Sequence, residues 1–283
     1  MKQPSTLAAA SSEIRAANGS YRREVVMNTN ETPILEVKEL GIDFGGLTAV
    51  NDLDLAIYNK EIVGLIGPNG AGKTTVFNLL TKVYKPTRGT IFFDGKDTAG
   101  KTVVDINKAG IARTFQNIRL FNNLTVLDNV KTAYHNNIRY SPVEAVFRLP
   151  GYYAKEREIE GKSRELLEIM ELGDFADVTA GNLPYGAQRR LEIARAMATE
   201  PKLLLLDEPA AGMNPQETDD LMRMIRFVRD HFEIAVLLIE HDMQLVMGIC
   251  ERIYVLNYGM LLAQGLPAEI QANPEVIKAY LGD

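Results

Sequence analysis

Cysteine is almost absent: Cys250 is the only one in 283 residues, so the chain can close no disulfide within itself, which fits a reducing compartment. Cys250 lies among apolar and helical residues and reads as core filler. Long apolar runs are missing too. LLLL at 203–206 and IAVLLI at 234–239 are the longest, far below the roughly 20 residues a spanning helix needs. They suit strands buried on both faces. There is no basic surplus: 31 Lys and Arg stand against 37 Asp and Glu, a net charge of −6. A broad nucleic-acid-binding surface is thereby excluded. The start lacks the apolar block and cleavage pattern of a secretory signal. Residues 1–33, rich in Ala, Ser and Asn without a sustained apolar period, are expected to be a disordered N-terminal extension, with Met27 a candidate true start.

The remaining chain alternates strands and helices. Ile34–Leu40, Leu53–Ile57, Glu61–Ile66 and Thr90–Phe93 read as strands, with Thr74–Val83 a helix. From about Asn117 to Ala198 strand signals vanish. Ser141-Pro142 reads as an N-cap with proline at N1, and Ala154–Leu172 as a helix with Ile159, Leu166, Leu167 and Met170 on one face. Strands return at Leu203–Leu206, Ile234–Ile239 and Ile253–Leu256, and Asn273-Pro274 opens a last helix, about 273–282. The expectation is an α/β core at 34–283, interrupted by a helical lobe at about 117–198.

The strand EIVGLI runs into GPNGAGKTT, which fits G-x-x-x-x-G-K-[ST]. Gly67, Pro68, Asn69, Gly70, Ala71, Gly72, Lys73, Thr74 and Thr75 form this loop. Glycines let backbone N–H groups turn inward onto phosphate oxygens, and the following helix adds the positive end of its dipole. Lys73 is expected to reach the β- and γ-phosphates of a nucleotide, and Thr74 to offer its hydroxyl to Mg²⁺. A buried four-leucine strand ends in Asp207-Glu208. Two carboxylates there sit at the C-terminal edge of the sheet, where ligands of α/β sheets bind. Asp207 is the expected Mg²⁺ partner, and Glu208 the group that orients or deprotonates an attacking water. Of three histidines, His135 and His231 read as surface residues. His241 alone follows a core strand at that edge, in reach of a γ-phosphate.

LPYGAQRRLEIARAM at 183–197 poses a different question. It is expected to turn helical at about Ala187 or Gln188, with a proline, a tyrosine and a glycine where a Ser or Asp cap would be ordinary.

In this order the motifs resemble the ATP-binding cassette (ABC) ATPase subunits of transporters, over roughly Ile34–Asp283. ARTFQN at 112–117 stands where that family has its Q-loop, with Gln116 following Lys73 by 43 residues, and LPYGAQ stands at the signature position. The resemblance implies a P-loop NTPase fold: a RecA-like mixed-sheet core with an inserted α-helical subdomain. It implies that Gln116 contacts Mg²⁺ or the attacking water, and that Phe44 stacks on adenine. It also implies that two cassettes pair head to tail, so that Leu183, Pro184, Tyr185, Gly186, Ala187 and Gln188 meet the partner's ATP. Two departures stand out: Pro184 replaces the usual signature serine, and Asn214 replaces the usual D-loop aspartate.

LPYG-x-QRRLEIARA, DEPAAG-x-NP, IEHDM-x-LVM and the tail NPEVIKAYLG are similar to the ATPases of branched-chain amino acid importers. Urea and amide importers and lipid or lipopolysaccharide exporters are related alternatives. The resemblance implies ATP and Mg²⁺ as cofactors and a second ABC ATPase as heterodimer partner. It further implies two integral-membrane permeases, a periplasmic or extracellular substrate-binding protein acting indirectly, and a peripheral place on the cytoplasmic face of the membrane. Arg119–Leu124 and Tyr152-Tyr153, expected in loops, are the candidate groove for a permease.

Overall fold

The computed structural model describes residues 32–136, 147 and 150–281. Residues 1–31 of the expected extension, Met27 among them, lie outside these, as do Ser141-Pro142 and the final two positions.

In chain order the elements are β1 (Leu35–Phe44), β2 (Leu47–Ile57), β3 (Ile62–Ile66), α1 (Lys73–Leu80), β4 (Arg88–Phe93), β5 (Lys96–Asp97), α2 (Val103–Ala109) and β6 (Ile111–Arg113). Among the described residues there follow α3 (Val126–Tyr134), α4 (Pro150–Ile169) and α5 (Tyr185–Met197). Then come β7 (Leu203–Asp207), α6 (Pro215–Phe232), β8 (Ala235–Ile239), α7 (Met243–Ile249), β9 (Arg252–Asn257), β10 (Met260–Gly265), α8 (Pro267–Ala272) and α9 (Pro274–Leu281). Four strands make an antiparallel sheet in the order β2-β1-β4-β5, and six make a second sheet in the order β10-β9-β3-β8-β7-β6. In the larger sheet every neighbouring pair is parallel except β10 with β9.

The apolar runs make sense on this sheet. Its period of two sends Ile62, Ile66, Leu204, Leu206, Val236 and Leu238 to one core, which α3 to α7 cover. Val63, Leu65, Leu203, Leu205 and Leu237 face a second core, closed by α1, β1 and β2. Both faces are buried, so the strands read as continuous Leu, Ile and Val rather than as alternation. Fully burying each such side chain is worth about 1.5–3 kcal/mol.

The expected strands and helices are present with shifted ends. α4 begins at Pro150, so Tyr152-Tyr153 lie on a helix and not in a loop. Ile159, Leu166, Leu167 and Met170 are buried as the periodicity predicts. α5 begins at Tyr185, two to three residues earlier than expected. Pro184 is extended (φ −56°, ψ 152°), and the helix starts as soon as the proline allows.

Candidate functional site

The parallel pairing of β3, β8 and β7 sets the site. Leu65 is level with Ile239, and Ile239 with Asp207. The loops leaving these three strands therefore emerge side by side at the C-terminal edge, the place where α/β sheets bind ligands. They carry Gly67–Thr75, Glu208 and His241.

The loop after β3 can take its shape only with glycine at two points. Gly67 has φ 151°, and a Cβ there would stand 2.1 Å from the carbonyl oxygen of Leu256. Gly72 has φ 101°, and a Cβ would stand 2.8 Å from the Ala49 oxygen. Lys73, the first residue of α1, donates from Nζ to the Gly67 and Pro68 carbonyls at 2.6 and 3.0 Å. Burial lowers its pKa, and the negative charges of Glu208 and Asp207 oppose that shift. The ammonium thus lies within the field of both acids. Thr74 is exposed and Thr75 half-buried.

At the end of β7, Asp207 is buried while Glu208 is one-quarter open, its side chain 23% exposed. Glu208 has φ 47°, a left-handed conformation unusual for a residue with a side chain. Its N–H donates to Ile239 O at 2.9 Å. Gln116 Nε2 donates to Glu208 Oε2 at 2.7 Å, and His241 Nδ1 lies 3.8 Å from the same oxygen. Three residues up to 125 positions apart in sequence (116 to 241) so meet at one carboxylate oxygen.

The donors expected for Mg²⁺ suit it. Thr74 offers a hydroxyl, Asp207 one carboxylate and Gln116 an amide whose N–H end is spent on Glu208, leaving its carbonyl end for a cation. Hard oxygen donors with few carboxylates, completed by phosphates and water, are what this ion takes.

Phe44 ends β1 and is 43% exposed; its ring meets Tyr84 edge-on with centroids 5.2 Å apart. The sequence reading passes over Tyr84. His135 pairs with Glu156, and His231 stacks on Phe227 and meets Phe232 edge-on at the surface, away from this edge as expected. Cys250 is buried and its pKa is raised by that burial, the mark of an inert thiol.

The signature stretch lies on the start of α5, which has no side-chain cap. By contrast α2, α3, α6 and α7 are capped by Thr102, Thr125, Asn214 and Asp242. Leu183 is buried, Pro184 and Tyr185 are exposed, and Gly186, Ala187 and Gln188 are half-buried. Within the chain this stretch packs on the segment after Glu208: Tyr185 donates its hydroxyl to Ala211 O at 2.7 Å.

Several polar ties escape sequence reading. Arg189 is fully buried and ion-paired to Glu192 at 2.8 Å. It also donates to the carbonyls of Phe115 and Gln116. Glu192 accepts the N–H groups of Phe115 and Arg119. Together they hold the Gln116 loop onto the signature helix. Glu240, 1% exposed, accepts N–H groups from Ala210, His241 and Asp242, joining the loops of Glu208 and His241. Burial raises the pKa of both carboxyls. Burial raises the pKa of Tyr280 on α9, and the nearby Gly67 backbone opposes that rise. The only signals were weak: a second acid beside His241, and a tyrosine in the tail.

Comparison with known proteins gives the context. The pattern of the ABC transporter family matches residues 50–211, and that described as branched-chain amino acid ATP-binding cassette transporter matches residues 260–283. The chain is 50% identical over 251 residues to the high-affinity branched-chain amino acid transport ATP-binding protein BraF of Pseudomonas aeruginosa, covering 89% of this chain and 98% of that one. It is 49% identical, with the same coverage, to the protein LivG of Escherichia coli, which has the same description. Among solved structures, an ATP-binding cassette of an ABC transporter in its ADP conformation has a TM-score of 0.78 at 29% identity, over 89% of this chain and all of that one. Matches of this extent leave one assignment for a nucleotide-binding, ATP-hydrolysing chain of this build: it belongs to the ABC transporter family.

Proposed function

We propose that this chain is the ATPase that energises a membrane importer for branched-chain amino acids. In this reading it works at the cytoplasmic face of the membrane, paired with a second, non-identical cassette. The pair drives two permeases, fed by a substrate-binding protein outside. The near-full-length identity to two branched-chain amino acid transport proteins and the matching tail at 260–283 support the transport half.

One observation carries the chemical half: Gln116 and His241 converge on Glu208 beside the Lys73 loop. Glu208 is the base that takes a proton from the attacking water. Gln116 fixes its carboxylate and, on binding, orients that water. His241 donates to the γ-phosphate. Lys73 neutralises phosphate charge, the loop N–H groups hold the phosphates, and Phe44 stacks on the adenine. Thr74, Gln116 and Asp207 would hold Mg²⁺, which supplies further neutralisation of phosphate oxygens. The uncapped start of α5, Leu183–Gln188, takes the γ-phosphate bound by the partner cassette; with Pro184 lacking a hydroxyl, backbone N–H groups make that contact. The helices between β6 and β7 form the lobe that meets the permeases. Phe121 and Leu124, 46% and 39% exposed, are its candidate contacts.

The test is Glu208→Gln in the transporter reconstituted with its permeases and binding protein. The variant should bind ATP, hold the paired state, and lose hydrolysis by about 10²–10⁴-fold. Leucine, isoleucine and valine uptake should fall with it. Equal turnover in variant and wild type refutes the role of Glu208; intact ATPase with no uptake of these amino acids refutes the substrate class.

A further inference from the structure

Arg113 has no part in the reading above, yet it sits at the centre of the site's foundations. It is the last residue of β6, three positions before Gln116. One guanidinium nitrogen donates to Asp207 Oδ2 at 2.7 Å, and the other donates to Asn78 Oδ1 on α1, also at 2.7 Å. The rings of Phe77 and Phe115 stand 5.4 and 5.2 Å from the guanidinium carbon. The side chains of Arg113 and Asp207 are 8% and 7% exposed. Arg113 Nε is buried without a hydrogen-bond partner.

This is a costly arrangement to keep for packing alone. Two charges have left water, and a donor has been left unmatched. What it achieves is directional. A planar guanidinium bonded on both sides and flanked by two rings has little freedom to turn. The carboxylate it grips is fixed at Oδ2, so Oδ1 is the oxygen left for a hydrated cation. The same guanidinium joins three elements that the site requires in register: the strand before Gln116, the helix after the phosphate loop, and the strand of Asp207.

We propose that Arg113 is a positioning residue for the metal-facing carboxylate: it holds Asp207 oriented for the nucleotide's divalent cation. The inference rests on the assignment of Asp207 given under the proposed function. Groups that orient a metal-facing carboxylate typically change metal affinity 10–100-fold when removed. Lysine cannot replace Arg113, since a single ammonium lacks the fork that spans Asn78 and Asp207.

The experiment measures nucleotide affinity by calorimetry in the full chain carrying Glu208→Gln, so that no turnover intervenes. ATP is titrated once with Mg²⁺ and once with a chelator. The ratio of the two dissociation constants reports how strongly metal assists binding. Asp207→Asn should erode that ratio, and Arg113→Lys should erode it by about tenfold while leaving affinity in chelator unchanged. Asn78→Ala, which removes only the second anchor, should move it in the same direction by less. If Asp207→Asn erodes the ratio and Arg113→Lys does not, Arg113 is not a positioning residue and the role of Asp207 stands. If Arg113→Lys lowers melting temperature and both affinities equally, the residue is structural only and the inference falls. If Asp207→Asn itself leaves the ratio intact, the assignment of Asp207 fails, and the inference with it.

Discussion

The buried pair Arg189–Glu192 makes a demanding test of how the Gln116 loop is held. Arg189 is 0% exposed, and it holds Glu192, the Phe115 and Gln116 carbonyls and the Tyr185 hydroxyl at 2.8, 2.9, 3.1 and 3.3 Å. Arg189→Met keeps most of the volume and removes all four. It leaves the Glu192 carboxylate in a buried site with the N–H groups of Phe115 and Arg119 as its hydrogen-bond donors and Arg195 as the nearby cation. Breaking one half of a buried pair costs about 3–5 kcal/mol. At about 2–4 °C per kcal/mol for a chain of this size, the melting temperature should fall by about 6–20 °C. Glu192→Leu should cost a similar amount. The double variant Arg189→Met/Glu192→Leu should cost clearly less than the sum, since it strands no charge. The pH dependence has a definite sign. Burial raises the pKa of Glu192 above its usual 4.5, and Arg189 opposes that rise. A carboxyl with a raised folded pKa contributes stability below its unfolded value, and loses it as pH climbs through the folded value. Without Arg189 the pKa rises further. The deficit of Arg189→Met should therefore shrink at about pH 5 relative to about pH 8. Thermal unfolding of the purified chain, followed by circular dichroism at both pH values, reads all of this. A drop of less than about 2 °C, strictly additive single variants, or a deficit that grows on acidification would each refute the argument.

Other substitutions probe the site piece by piece. Lys73→Ala should weaken nucleotide binding by roughly 10–150-fold, the worth of charge-assisted hydrogen bonds of about 1.5–3 kcal/mol; a fluorescent ATP analogue measures it, and unchanged affinity argues against the phosphate loop assignment. Phe44→Ala should weaken ATP binding by about 5–150-fold through lost stacking of about 1–3 kcal/mol, and Phe44→Tyr should restore it; inorganic triphosphate, which has no base, should bind both equally. Glu240→Gln swaps one carboxylate oxygen for an NH₂ facing N–H donors. It should destabilise by about 1–3 kcal/mol and slow hydrolysis by displacing the turns of Glu208 and His241, as a melting curve and a phosphate-release assay would show.

The sequence displayed the site where local pattern and chemistry coincide. EIVGLI, LLLLD and IAVLLI are legible because strands buried on both faces need unbroken apolar residues. The residues placed just after them are therefore placed at one edge without any knowledge of pairing. β6 was not legible. Three residues, Ile111–Arg113, carry no periodicity, and what makes them a strand is Leu203–Leu205 beside them. α6 is different: Asn214, Pro215 and the stripe Leu221, Ile225, Val228 are ordinary helix signals, and motif reading passes over them because the acids just upstream draw attention. The early start of α5 was hidden by Gly186, which reads as loop. Tyr185 is tied to Ala211 and Arg189 four residues on is buried, so tertiary contacts override the glycine's cost of about 1 kcal/mol. Arg113, Arg189 and Glu240 were invisible for a common reason. The contacts that bury them reach groups 94, 74 and 30 residues away, Asp207, Phe115 and Ala210, and nothing local distinguishes them from surface charges.

Those three buried groups also explain how the strained backbone at Glu208, the proposed base, can be kept. Glu208 sits at φ 47°, a conformation that costs on the order of 1–3 kcal/mol and lasts only where surroundings enforce it. Its own N–H is fixed to Ile239, and two residues on, the N–H of Ala210 is fixed to Glu240. On the other side Asp207 is fixed to Arg113, and the loop that brings Gln116 to Glu208 is fixed by Arg189 and Glu192. Each tie spends a buried charge, yet each acts on the backbone or side chain next to Glu208 rather than on Glu208 itself. Glu208 is left with 23% of its side chain open. A carboxylate proposed to meet water cannot be buried for rigidity, so the rigidity has to come from its neighbours. The costly interactions are accordingly found beside Glu208 and Gln116 rather than on the Glu208 carboxylate.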